Sequence, residues 1–201
     1  MAFVKKHSFK IAVLALCAAM GIYLLFTYVI QPKEPLPILQ AAPAFEMTDI
    51  DGQPVSLEST NGKARIVYFY FANCPDVCPP TTFLLSQVQD QLEADKKLGS
   101  EAELISITFD PERDTPEAIK DFVDRIGADT NGWHFLRGDE DETLKVAREF
   151  GVGVRKEEDG SYTHTNVITL VDQNGQIRAW INGSDEDLTA EQIVEEMNKL
   201  L

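Results

Sequence analysis

The run Arg65-Ile66-Val67-Tyr68-Phe69-Tyr70-Phe71 places apolar and aromatic side chains on both faces of any strand it forms. Such a strand is satisfied only in the middle of a sheet that is covered on both sides. A second run of the same kind, Leu104 to Phe109, follows after a segment with helical spacing at Phe83, Leu84, Val88 and Leu92. Strand, helix, strand with buried strands predicts a layered α/β domain.

The rest of the chain fits that plan. Phe45 to Ile50, the turn Asp51-Gly52 and Val55 to Leu57 read as a small hairpin. Thr115 is placed to cap a helix with Pro116 at its first position and Glu117 near the positive end of the dipole. Trp133 to Leu136 reads as a short strand and Glu140 to Phe150 as a helix stopped at Gly151. Thr165 to Val171 and Gln176 to Ile181 flank Asn174-Gly175 as an antiparallel pair. Leu188 to Leu201 closes the chain as an amphipathic helix with Ile193, Val194, Met197 and Leu200 inward. The expected architecture is an α/β sandwich with a mixed sheet.

The N-terminus reads differently. Residues 1–10 form a basic head with Lys5, Lys6 and Lys10 and no acid, and residues 11–30 are uncharged. Twenty residues at about 1.5 Å each span about 30 Å as a helix, the thickness of a hydrocarbon core. The basic head would stay in the cytoplasm and the remainder would lie outside. A lipoprotein signal at Cys17 is disfavoured, because Leu16 is large where a small residue is expected and the apolar stretch continues beyond the cysteine. Residues 31–43 hold Pro32, Pro35, Pro37 and Pro43 and read as an extended stalk, leaving 44–201 as the folded domain. The net charge of −15 argues against nucleic-acid binding.

The chemistry centres on Cys74-Pro75-Asp76-Val77-Cys78-Pro79-Pro80, directly after the central strand. Open α/β sheets place their sites at this carboxyl end. The prolines push Cys78 and Pro79 away from helical conformation, so the next helix is expected to begin near Pro80. A helix N-terminus favours thiolates, which serve a nucleophile and a metal ligand equally. Two thiolates leave a soft ion undercoordinated, and copper suits two sulfurs with one imidazole better than hard cations do. A structural disulfide and a redox-active pair compete with this reading. Of the histidines, His7 lies in the head, His134 reads as a strand residue, and His164 lies in a polar loop that could reach the cysteines or simply face solvent.

Cys74-Pro75-Asp76-Val77-Cys78-Pro79, Asp110-Pro111-Glu112-Arg113-Asp114-Thr115-Pro116 and the downstream His164 resemble the Sco (SenC/PrrC) family over roughly residues 40–201. The resemblance implies a thioredoxin-like fold and one copper ion bound by Cys74, Cys78 and His164. It implies assistance in assembling the binuclear copper centre of cytochrome c oxidase, with the copper-centre subunit as partner. A redox-active Cys74–Cys78 pair, served by a thiol reductant protein, is the alternative it carries: a thiol-disulfide oxidoreductase acting on that subunit. Many members have an acidic residue before the histidine, where this chain has Thr163. Asp76 and Asp110 read either as turn-shaping residues or as groups that tune the site. A peroxiredoxin-type peroxidase is disfavoured, since neither cysteine follows the Thr-x-x-Cys pattern.

Overall fold

A computed structural model describes residues 2–26, 35–72 and 78–201. The chain divides into two compact units, Met1–Glu34 and Pro35–Leu201.

The first unit contains helix α1, Ala2–Leu25. It takes in the basic head as well as the start of the apolar segment, because lysine propagates a helix nearly as well as alanine. Leu14, Leu16, Ile22 and Tyr23 are exposed. Among the described residues no helix is long and apolar enough to cross a membrane. The last residues of the expected span, 27–30, lie outside the described residues.

The second unit is built on ten strands: β1 (Gln40–Ala41), β2 (Glu46–Asp49), β3 (Pro54–Ser56), β4 (Ala64–Tyr70), β5 (Ala102–Thr108), β6 (Trp133–Arg137), β7 (Val154–Lys156), β8 (Tyr162–His164), β9 (Val167–Val171) and β10 (Gln176–Asn182). Its helices are α2 (Cys78–Ala94), α3 (Pro116–Ile126), α4 (Glu140–Glu149) and α5 (Ala190–Met197). Eight strands form one mixed sheet in the order β1-β10-β9-β4-β5-β6-β2-β3, and β7 and β8 form a separate antiparallel pair.

β4 is central, as its side chains require. It runs parallel to β5 and antiparallel to β9, and all seven of its residues are buried. Adjacent residues point to opposite faces. Tyr70 stacks on Phe122 of α3 at 5.5 Å between ring centroids, whereas Phe69 packs at 5.6 Å on Phe150 beyond α4. The two helices therefore cover opposite faces. α5 buries Ile193, Val194 and Met197 and packs along α2.

Capping follows the sequence in detail. The Thr115 hydroxyl accepts the Ala118 N–H at 3.2 Å, and α3 ends at Gly127 with φ of 66°, a conformation that suits glycine. Two expectations shift. α2 begins at Cys78 and not near Pro80, since the first turn of a helix needs no N–H from Pro79 or Pro80. The proline-rich segment is also not a stalk throughout. Gln40–Ala41 pairs with β10, and the Arg178 guanidinium binds the carbonyls of Leu36 and Pro37.

The Phe150 ring is fully buried between Phe45 and Phe69. Phe150→Ala should cost about 3–5 kcal/mol in urea unfolding followed by circular dichroism, while Phe83→Ala, at an exposed position, should stay within about 0.5 kcal/mol of wild type.

Candidate metal centre

The central strand delivers the cysteine loop. Phe71 and Ala72, just past the end of β4, are buried. Residues 73–77, including Cys74 and Asp76, lie outside the described residues. Cys78 opens α2, so its backbone stands at the positive end of the helix dipole; its side chain is likewise outside them.

His164 comes to this end of the sheet. It is the last residue of β8, and its ring packs edge-on against Phe71 at 5.9 Å and Phe109 at 5.0 Å. Tyr162, two residues earlier on the same face of β8, touches the same two rings. The hairpin is drawn in partly by Arg113, whose guanidinium donates to the Gly160 carbonyl. The Thr165 N–H donates to the Gly153 carbonyl at 2.8 Å and closes its base.

The state of the imidazole suits a soft cation. Burial lowers its pKa below the ordinary histidine value, against an opposing pull from the Thr165 carbonyl. His164 Nδ1 lies 3.1 Å from that carbonyl oxygen, which can only accept. The proton therefore sits on Nδ1 and the lone pair on Nε2, the tautomer that a ligating histidine adopts when its other nitrogen is held by the backbone. A cleft lined by His164, Val167, Trp180 and Ser184 opens beside the ring. Among the described residues no three His, Cys, Asp or Glu side chains gather as a metal site; the two thiols of the expected set are outside that description.

His134 is at the wrong end. Its Nε2 lies 3.7 Å from Glu103 Oε2, beside Lys63, near the start of β4. Burial would raise the Glu103 pKa, but nearby His134 and the hydrogen bond from Lys63 outweigh it and hold the carboxyl below its usual value. His134 is thus a structural strand residue.

Of the acids in the second motif, Asp110 is buried in an ion pair with Arg113, and its N–H donates to the Thr108 hydroxyl at 3.0 Å. Asp114 is the one that touches the cysteine segment. Its Oδ2 accepts the Ala72 N–H at 2.8 Å and the Thr108 hydroxyl. It is fully buried, and its Oδ1 has no hydrogen-bond partner among the described residues. Burial raises its pKa, against the pull of both hydrogen bonds. Sequence reasoning passed over Asp114, although it stands four residues after Asp110 in the same motif. Nothing local shows which of two acids in a turn folds back under the sheet.

A second contact ties the two halves together. Asn166 Nδ2 donates to the Thr81 hydroxyl at 2.8 Å, joining the first turns of α2 to the segment that follows His164.

Known proteins carry the same architecture. The SCO1/SenC family model matches residues 35–201. A SCO1/SenC family lipoprotein from Bacillus anthracis is 29% identical with a TM-score of 0.74, over 85% of this chain and 99% of that one. BsSco, a member of the Sco family of cytochrome c oxidase assembly proteins in which a disulfide switch was identified, is 29% identical with a TM-score of 0.72, over 85% and 97%. Bradyrhizobium japonicum ScoI with copper bound is 31% identical with a TM-score of 0.66, over 80% and 99%.

Asp114→Ala strands the Ala72 N–H and the Thr108 hydroxyl in the interior and should cost about 3 kcal/mol in urea unfolding at pH 7. Asp114→Asn keeps an acceptor and removes a buried charge, so it should lie within about 1 kcal/mol of wild type. For His164 the folded pKa is below the unfolded one, so the unfolded chain binds the proton first. Stability should fall as pH drops below about 6.5 and level off below the folded pKa. His164→Gln should lose that component, and the His164 ring protons should titrate below pH 6.5 in an NMR series.

Proposed function

The chain belongs to the SCO1/SenC family, and from that premise we propose that it is a membrane-anchored copper chaperone for the copper-centre subunit of cytochrome c oxidase. The observation that carries this reading is the packing of His164 against Phe71, three residues before Cys74. A histidine remote in sequence stands beside the start of the cysteine loop, in a neutral tautomer with its lone pair on Nε2. Two thiolates and one imidazole form a soft donor set that suits copper. The copper-bound B. japonicum relative and the oxidase-assembly description of BsSco support the same choice.

Copper is the cargo in this reading. Cys74, Cys78 and His164 hold it in the reduced protein, and cysteines of the acceptor replace them one at a time. Each exchange forms a bond from an acceptor thiolate to the ion as the bond to Cys74, Cys78 or His164 breaks, so the ion is never released to water. Oxidation of Cys74 and Cys78 to a disulfide gives up two electrons and two protons to a partner disulfide, which becomes a dithiol. That step removes both thiolates and closes the site until a thiol reductant reopens it.

Attachment through α1 fits a helix whose apolar side chains face outward all round. The domain would then stand on the outer side of the membrane, with the basic head inside. The B. anthracis relative is a lipoprotein, and lipidation of Cys17 is the competing mode of attachment. Mass spectrometry of the membrane-extracted chain separates the two: an unmodified full-length mass supports α1 as the anchor, and a diacylglyceryl adduct at Cys17 overturns it.

The alternative, a thiol-disulfide oxidoreductase, is favoured by α2 beginning at Cys78, since a helix N-terminus favours negative charge. Copper(I) titration of the reduced full chain in detergent should give one ion per chain. Cys74→Ala and Cys78→Ala should abolish tight binding, and His164→Ala should weaken it at least about tenfold. Unchanged stoichiometry and affinity in all three variants would overturn the copper reading. Reductase activity retained by His164→Ala in a wild type that binds no copper would establish the alternative.

A further inference from the structure

The hairpin that carries His164 is not part of the main sheet. Among the described residues β7 and β8 pair only with each other, so no ladder there fixes the distance from His164 to the cysteine-bearing helix. The aromatic contacts with Phe71 and Phe109 seat the ring, but they are non-directional and tolerate sliding. A directional link joins the neighbouring segments. Asn166, two residues after His164 and one before β9, donates from Nδ2 to the Thr81 hydroxyl at 2.8 Å. Thr81 is three residues after Cys78, one turn into α2. Both side chains are buried, where a hydrogen bond is worth more than in water.

A third segment locks the pair. The Gly183 N–H donates to the Asn166 carbonyl at 2.9 Å, and the Thr81 hydroxyl lies 3.4 Å from the Gly183 carbonyl. A Cβ on Gly183 would stand 2.7 Å from Asn166 Oδ1 and 2.9 Å from its Nδ2. A side chain there would have to displace the Asn166 amide, so the glycine allows the backbone after β10 to close against it.

We propose that Asn166, clamped between Thr81 and Gly183, is the positioning residue that sets the separation between the cysteine helix and His164. It thereby tunes copper affinity without acting on the thiol–disulfide couple. The inference rests on the copper reading above. The two chemistries use different distances. A Cys74–Cys78 disulfide closes within one short loop, and its stability depends on that loop. Copper binding also needs the thiolates within reach of His164, and the link from α2 to the segment after His164 contributes to that reach. A loosened clamp therefore separates the two properties, whereas general loss of structure near the cysteines moves both.

The test uses the full chain in detergent as wild type, Asn166→Ala, Thr81→Val and Gly183→Ala. Thr81→Val is nearly isosteric and removes only the hydroxyl, so it reports even if the asparagine variant fails to fold. Copper(I) affinity is measured by competition with a chelator, and the midpoint potential of the apo dithiol by equilibration with glutathione. The expected result is copper affinity weakened about tenfold to a hundredfold with an unchanged midpoint potential. In a His164→Ala background the same substitutions should cause no further loss, because the distance they control no longer matters. Wild-type affinity in folded Thr81→Val, a midpoint potential that shifts in parallel, or an additive loss in the His164→Ala background would each overturn the clamp. A wild-type chain that binds no copper overturns the reading beneath it, and the wild-type titration alone distinguishes that failure.

Discussion

The burial of β4 on both faces governs the rest of this molecule. A seven-residue strand with no polar face must be covered by helices above and below, and its backbone must be paired on both edges. β5 and β9 supply the pairing, and helices on opposite faces supply the cover. Once β4 is central its carboxyl end opens toward the segment that carries the cysteines, and His164 and Asp114 are both brought to that end. Phe71 and Ala72 continue the strand's burial beyond its last ladder bond. They give His164 a surface to rest on and give Asp114 an N–H to hold.

The site is held by contacts of unlike kinds. Tilted rings at Phe71, Phe109 and Tyr162 exclude water from one side of His164, and that burial lowers its pKa. A buried carboxylate fixes the chain as it enters the cysteine loop. A buried amide joins the helix that leaves it to the segment that carries the histidine. His164 itself rides on a two-stranded hairpin separate from the main sheet.

The acidic balance of the chain serves no visible part of this arrangement. The acids Glu157, Glu158 and Asp159 stand on the turn of the histidine hairpin, where Glu157 pairs with Arg155 at 2.8 Å. They behave as the solvated loop that their composition suggests. The acids that matter, Asp110 and Asp114, are buried and were written in one short motif.

Much of the fold was legible in the residues themselves. Continuous apolar runs marked β4 and β5, Thr115-Pro116 marked the start of α3, and Asn174-Gly175 marked the last hairpin, because each reports a local preference of backbone or burial. The start of α2 was placed two residues late, since proline's effect on its predecessor was weighed above its tolerance in a first helical turn. The pairing of Gln40–Ala41 with β10 and the β7–β8 hairpin were not legible, because short polar strands carry no burial pattern. The sequence by itself determined the layered α/β plan, the place of the cysteines at the end of the central strand and the types of donor available. Only the tertiary structure decided that His164 and not His134 stands at that end, that Asp114 and not Asp110 holds the loop, and that Asn166 spans the two halves. These are contacts between residues far apart in the chain, and their geometry exists only after the sheet and its helices have closed around β4.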